Sequence, residues 1–330
     1  MIRMSRVIIS AINLTKYFPV QRGFLERLIS RKLEYIRAVD GVDLEIKEEE
    51  TFALVGETGC GKTTTGRLLV RLLEPTGGDI FFRGIRITHI KGEELRKLRR
   101  HLQIIFQDPY ASLNPRMKIG DAIGHPLEIH DIAKGKEKRQ IVLEMLEKVG
   151  LTPAERYYEL YPHQLSGGER QRVVISRAMI LKPDFIVADE PISMIDVSLR
   201  AKILELMVDL KKEFHVTYLF ITHDLATAKY ISDRIAVMYL GKIVELATTD
   251  ELFSNPLHPY VKALISAIPR PGPKAERERL LLRGEIPSPI NPPSGCRLHP
   301  RCPFKIRICS KEEPKLLEKE RGHYVACHLY

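Results

Sequence analysis

The sequence predicts an α/β fold: a strand-and-helix core around a phosphate-binding loop, an inserted helical subdomain, and a small irregular C-terminal Cys-rich extension. Three observations predict it. Short apolar runs end in glycine or polar residues, as buried parallel strands do when chemistry sits at their C-terminal ends. Between about Gln107 and Leu165 that pattern gives way to a mostly helical one, including 137–149. Beyond Ile268 the composition shifts: nine of the chain's 21 prolines fall between Pro269 and Pro303, and four of its five cysteines fall in the last 35 residues.

The chain has 330 residues, 44% hydrophobic and 28% charged, enough to bury a sizeable core. Its length fits one large domain plus an extra piece, or two domains. The first strand is Thr51-Phe52-Ala53-Leu54-Val55, followed by Gly56-Glu57-Thr58-Gly59-Cys60-Gly61-Lys62-Thr63-Thr64 and a helical pattern over 62–73. The run satisfies G-x-x-x-x-G-K-[ST] with a strand before it and a helix after it. Its glycines let backbone N–H groups face phosphate oxygens, and the helix N-terminus adds positive potential. Lys62 would bridge the β- and γ-phosphates, and the Thr63 hydroxyl would ligate Mg²⁺. Cys60 inside the loop reads as a small filler.

Ile104-Ile105-Phe106 ends at Gln107, whose amide suits Mg²⁺ or the attacking water. Phe185-Ile186-Val187-Ala188 delivers Asp189 to a metal. Glu190 follows on the opposite side of the strand, placed to polarise water. Leu165-Ser166-Gly167-Gly168-Glu169 carries an S-x-x-E capping box. Its two glycines leave the first helical turn open to an anion, making a phosphate site without lysine. A loop with a lysine and a separate anion-binding helix start read as two halves of a composite site, which two subunits could supply. Tyr218-Leu219-Phe220-Ile221 is a further strand, followed by His223.

With these motifs the chain resembles the ABC transporter ATPase family. The resemblance implies a P-loop NTPase core of ABC type with an antiparallel β subdomain. Residues 165–171 would be the signature motif, pressing on the γ-phosphate of ATP bound to the opposite subunit. His223 would be the switch histidine. Asp196, in Ser193-Met194-Ile195-Asp196, would belong to the loop linking the two sites; the family usually has Ala-Leu where Met194-Ile195 stand. Tyr17 would stack on adenine, with Phe18 as competitor. An insertion rich in Arg, Lys and Leu separates both from the phosphate loop.

Residues 106–117, Tyr161-Pro162-His163-Gln164, His258-Pro259-Tyr260 and the tail from Gly284 through Cys296 resemble the F-type ATPase subunit of oligopeptide/dipeptide importers. This implies an ABC ATP-binding domain over 1–265, its helical subdomain at about 108–170, and the transporter C-terminal extension over 266–330. It also implies ATP and Mg²⁺ as cofactors and a D-type partner, or a homodimer in isolation. Two transmembrane permease subunits, an extracellular binding protein and a place at the cytoplasmic face of the membrane complete the implied assembly. The cargo stays open among peptides, nickel and oligosaccharides.

Cys296, Cys302, Cys309 and Cys327 are spaced C-x5-C, C-x6-C and C-x17-C, unlike the short hooks of zinc fingers. Four thiolates could still hold Zn²⁺ or a [4Fe–4S] cluster, with His299, His323 and His328 as nearby backup ligands, or remain free. Relatives with an iron–sulfur cluster in the equivalent tail favour the cluster. The net charge of +10 fits an anionic membrane or nucleic acid, and equally well solvated helix faces. Nucleic-acid ATPases of the repair type carry a very long coiled coil between phosphate loop and signature, whereas here Leu165 comes only 103 positions after Lys62 (165 − 62). Translation types carry two cassettes, and here each motif occurs once, so no nucleic-acid partner is expected. No stretch of about 18 residues lacks charge, so no bilayer-spanning helix is expected. The first residues lack an apolar signal region.

Overall fold

The computed structural model describes residues 6–20, 34–268 and 280–330. The Arg, Lys and Leu-rich insertion (21–33) and Pro269, Pro271 and Pro273 lie outside the described residues. Among the described residues no helix is long and apolar enough to cross a membrane. The chain divides into two compact units. Among the described residues, one comprises 6, 47–50 and 89–221; the other comprises 7–20, 34–46, 51–88, 222–268 and 280–330.

The second of these units carries the phosphate loop. Its strands β1 (Val7–Pro19) and β2 (Tyr35–Lys47) are long, and β3 (Thr51–Val55) leads into helix α1 (Lys62–Leu69). Strands β4 (Gly77–Phe82) and β5 (Ile85–Arg86) follow. β1 pairs antiparallel with β4 (Ile9 opposite Phe82, Ala11 opposite Ile80), β4 pairs antiparallel with β5, and β2 flanks β1. This is the antiparallel β subdomain.

The other unit carries the helical insertion: α2 (Gly92–Arg99), β6 (Leu102–Ile105), α3 (Pro109–Ser112), α4 (Ile119–Ile129), α5 (Gly135–Lys148), α6 (Ala154–Glu159) and α7 (Gly167–Met179). β7 (Phe185–Asp189), α8 (Val197–Phe214) and β8 (Thr217–Thr222) close it. β6, β7 and β8 run parallel, with Ile105 opposite Ala188 and Asp189 opposite Ile221. Phe185, Ile186 and Val187 are fully buried. Each such side chain stabilises by ~1.5–3 kcal/mol, which offsets the cost of burying Asp189 at the strand end.

The phosphate-loop unit resumes with α9 (Leu225–Ile231), β9 (Arg234–Tyr239), β10 (Lys242–Thr248), α10 (Thr249–Ser254) and α11 (Pro259–Ser266). β3 runs parallel to β9, and β9 pairs antiparallel with β10. Val55, Val237, Tyr239, Tyr260 and Leu298 share one core, with Cys296 and Cys302 against it. From residue 280 the tail is irregular, apart from a 3-10 turn at Arg307–Ser310, up to a terminal hairpin. There β11 (Leu317–Glu320) pairs with β12 (His323–Val325), and β12 adds antiparallel to β10. The expectation of a tail without regular structure therefore fails past Pro314, where no proline remains to interrupt a ladder.

Candidate nucleotide site

β3 is buried along its whole length and stops at Gly56, where the loop turns. Only glycine fits at two of its corners. A Cβ on Gly56 would lie 2.2 Å from the Met238 carbonyl oxygen, and one on Gly61 (φ +108°) 2.0 Å from that of Ala38. Gly61 precedes α1 and no side chain caps that helix. Thr63 and Thr64 sit half-buried in its first turn, the part of a helix whose N–H groups suit an anion. The Lys62 ammonium is buried and donates to the carbonyls of Gly56 (2.7 Å) and Glu57 (3.0 Å), so in this conformation it is tied to its own loop. Thr58 and Gly59 are exposed at the tip. Cys60 is buried and its carbonyl accepts from Gly241 N. Burial raises its thiol pKa against the lowering effect of Lys62, as befits a filler.

Glu57 is the loop residue that sequence reasoning left without a side-chain role. Its backbone N–H donates to the Tyr260 hydroxyl (3.0 Å), and its carboxylate meets the Arg301 guanidinium at 3.0 Å. Tyr17, on β1, is half-buried; its hydroxyl donates to Asp40, which also pairs with the buried Arg297. Arg37 lies 5.8 Å from the Tyr17 ring centroid, and Lys16 lies 5.2 Å from that of Phe18. His223 is exposed just past β8, and Asp224 caps α9 by accepting from Ala226 N (2.9 Å) and Thr227 N (3.3 Å).

In the other unit the Gln107 amide donates to the Glu190 carboxylate at 3.0 Å, joining the ends of β6 and β7. Asp189 is 1% exposed. Glu190 has φ +46°, so the chain leaves the strand here instead of continuing its alternation. Its N–H bonds to the Ile221 carbonyl (2.9 Å).

The capping box forms. Ser166 accepts from Glu169 N (3.4 Å), and the Glu169 carboxylate accepts from Ser166 N (2.8 Å) and its hydroxyl (2.7 Å). Gly167 faces open space, but Gly168 is buried; a Cβ there would lie 3.0 Å from Leu199 Cδ1. Only the first glycine thus leaves the turn uncovered. Arg170, which sequence reasoning passed over, is 2% exposed and holds this loop through the Pro162 (3.0 Å) and Leu165 (2.7 Å) carbonyls. Asp196 is exposed at the start of α8. Of the two unusual loop residues, Ile195 is buried and Met194 is 59% exposed.

The four tail cysteines carry no disulfide. Burial pushes the Cys296 thiol up to about 11, with Cys309, Cys327 and Cys302 adding to the rise. Burial raises Cys302 and Cys327 as well. Zinc thiolates at about 2.3 Å from the ion stand about 3.8 Å apart. Among the described residues the one group of three or more ligand atoms lying within 4.8 Å of one another is Glu251, Glu320 and His323. The cysteines as placed therefore do not close on a single Zn²⁺.

Residues 39–193 match the family described as ABC transporter, and residues 244–309 match the oligopeptide/dipeptide transporter C-terminal region. The chain is 48% identical to the oligopeptide transport ATP-binding protein AppF of Bacillus subtilis, over 96% of both chains. It is 47% identical to the dipeptide transport ATP-binding protein DppF of Haemophilus influenzae, over 97% of this chain and 96% of that one. Among solved structures it is similar to the dimeric ATP-binding cassette MJ0796 in a post-hydrolysis state with ADP and Pi. That likeness has a TM-score of 0.62 and 30% identity, over 73% of this chain and 99% of the other.

Proposed function

Since this chain belongs to the oligopeptide/dipeptide branch of ABC transporter ATP-binding proteins, we propose that it is the ATP-hydrolysing subunit of a peptide importer. It dimerises around two ATP molecules, and closure and reopening of the dimer drive partner permeases. The observation that carries this is the phosphate loop. Glycines that no other residue can replace lead into an uncapped helix with a buried lysine, in a chain aligned end to end with peptide-transport ATPases.

In this reading N–H groups of the loop beyond Glu57 receive the phosphates, with Gly56, Gly59 and Gly61 setting the turn. Lys62 leaves its loop carbonyls to bind phosphate oxygens. Thr63, Gln107 and Asp189 would hold Mg²⁺, and charge neutralisation at the phosphates is the chemistry the ion supplies when bound. Glu190 takes the proton of the attacking water, oriented by the Gln107 amide, and His223 contacts the γ-phosphate. Tyr17 stacks on adenine. Ser166, Gly167 and Gly168 reach the γ-phosphate of the opposite subunit, and Asp196 links the two sites. The exposed Met194 and Val197 beside Asp196 suit a surface that a second subunit covers.

The nucleotide-binding domain covers 1–265, and 266–330 form the accessory extension. The second subunit is of D type, the permeases are two, an extracellular binding protein supplies cargo, and the chain sits at the cytoplasmic face. The four cysteines would hold a [4Fe–4S] cluster, whose thiolates stand wider apart than those on one ion. Absorbance near 400 nm in anaerobically purified protein tests this; a colourless, metal-free sample refutes it. For the main reading, the assembled complex in proteoliposomes should take up labelled di- and oligopeptides with ATP, and Lys62→Ala should abolish uptake. Uptake of nickel or oligosaccharide instead of peptide would overturn the cargo, and ATP-independent uptake would overturn the role.

A further inference from the structure

We propose that Glu251, Glu320 and His323 form a binding site for one divalent transition-metal ion, zinc by its donor chemistry. The site shares no residue with the nucleotide site or the cysteines. The hairpin β11–β12 builds it. Arg321-Gly322 makes the turn (Gly322 φ +78°), and Glu320 pairs with His323 across it. The register shifts between Glu318 and Glu320, an irregularity that re-aims a strand side chain. β12 lies on β10, and α10 begins directly after β10, with Glu251 in its first turn.

His323 is 1% exposed, and its Nε2 lies 2.9 Å from the fully buried Glu245 carboxylate. That carboxylate also accepts from Leu257 N (2.9 Å) and His258 N (2.6 Å). The Glu245 carboxylate accepts, so Nε2 carries a hydrogen, and in the neutral tautomer this fixes Nδ1 offers its lone pair. Nδ1 is buried and makes no hydrogen bond. It faces Glu251 Oε1 at 3.5 Å, an oxygen that also accepts from Asn255 Nδ2 (2.9 Å). The neutral tautomer aims a lone pair at that carboxylate oxygen, an arrangement that a bound cation relieves.

The spacing suits a metal ion. Ligands at about 2.0–2.2 Å around a tetrahedral centre are about 3.4 Å apart. The Nδ1–Oε1 separation matches that, and all three ligand atoms lie within 4.8 Å of one another. The Glu245–His323 contact supplies the carboxylate–histidine support that fixes the tautomer of a metal-bound imidazole. One imidazole and two carboxylates favour zinc over magnesium or calcium and leave a coordination position for water. Glu320 is exposed and gives the ion a way in. The bound ion would pin the terminal hairpin to α10.

The test is equilibrium dialysis of Zn²⁺ against the nucleotide-free full-length chain, with Co²⁺ absorption as a second readout. One Zn²⁺ should bind per chain at this site, and Cys302→Ser should retain it. Glu320→Gln should weaken it about 100-fold, and so should Glu251→Gln. Both substitutions keep side-chain size, and Glu320 is exposed, so circular dichroism should be unchanged. Bound Co²⁺ should show weak visible bands without thiolate charge transfer. Unchanged Zn²⁺ affinity in Glu320→Gln would overturn the site, and so would Co²⁺ showing only thiolate charge transfer.

Discussion

Arg301→Met should loosen the phosphate loop from 244 residues away. Arg301 Nη1 lies 3.0 Å from one Glu57 carboxylate oxygen and 3.4 Å from the other, and 3.4 Å from the Tyr239 hydroxyl. The two side chains are 11% and 26% exposed, so solvent screens the pair only in part. Exposed pairs contribute ~0.2–1 kcal/mol and charge-assisted hydrogen bonds ~1.5–3 kcal/mol; a pair between these limits contributes about 1–2 kcal/mol. Methionine keeps an apolar stem and removes the charge. The Glu57 N–H, bonded to Tyr260, exchanges only when the loop opens. At about 1.4 kcal/mol per tenfold, its exchange should speed up ~5–30-fold, read by hydrogen–deuterium exchange of the loop peptide. ATP affinity should fall by no more than that factor. In a double-mutant cycle, Glu57→Gln should already contain most of the loss, so the second substitution adds little. Unchanged exchange in Arg301→Met, or strictly additive effects, would refute the reasoning.

Glu190→Gln keeps an oxygen for the Gln107 amide but cannot take a proton. ATP binding should stay within about twofold while phosphate release falls ~10²–10⁴-fold; a wild-type rate would remove Glu190 from its role. Burial pushes His258 down to about 3, whereas its unfolded counterpart titrates near 6.5. The stability is complete above about pH 6.5 and is lost as pH falls toward 3, at about 1.36 kcal/mol per unit, or about 2 kcal/mol by pH 5. Denaturant unfolding of His258→Asn should show a shallower fall from pH 7 to 5, and equal slopes would contradict this. Burial pushes the Asp40 carboxyl up, but Tyr17 and Arg297 together hold it below its ordinary value. Its contribution is therefore present above about pH 4 and lost below as the carboxylate protonates. Arg297→Met removes the closest cation of that carboxylate, which keeps Tyr17 and Arg37, at a cost of about 1.5–3 kcal/mol. Limited proteolysis should then cut the tail faster, and an unchanged rate would count against the brace.

The sequence made the local parts of this fold legible. β3 lies where the apolar run ends at glycine, and β7 and β8 exceed the expected strands by only one or two residues. The capping box of α7 and the helical insertion follow from spacing alone. The helix expected over 62–73 stops at Leu69, because Arg71 turns left-handed (φ +54°) to bond the Ile87 carbonyl. Apolar periodicity runs past that point and cannot register a contact 16 residues away. The hairpin β11–β12 was hidden by the prolines before it.

Long-range charge was the least legible feature, and it matters most for the site. Composition gave a net charge of +10 and no way to tell a solvated lysine from a buried arginine. Arg297 and Arg301 sit between Cys296 and Cys302, in a segment whose local pattern resembles only an irregular turn. Yet they are buried against Asp40 and Glu57, 257 and 244 residues earlier. Through Asp40 the first reaches Tyr17, and the second reaches the phosphate loop directly. One short segment thus bears on both the base side and the phosphate side of the proposed nucleotide site. The proposed cluster, once bound to the flanking cysteines, would act on the ends of that same segment. By linkage, any gain in cluster affinity that bound nucleotide confers through this segment would be matched by an equal gain in nucleotide affinity. Its cysteines would then serve the ATPase by keeping two arginines in place, a role that cysteine spacing alone could not reveal.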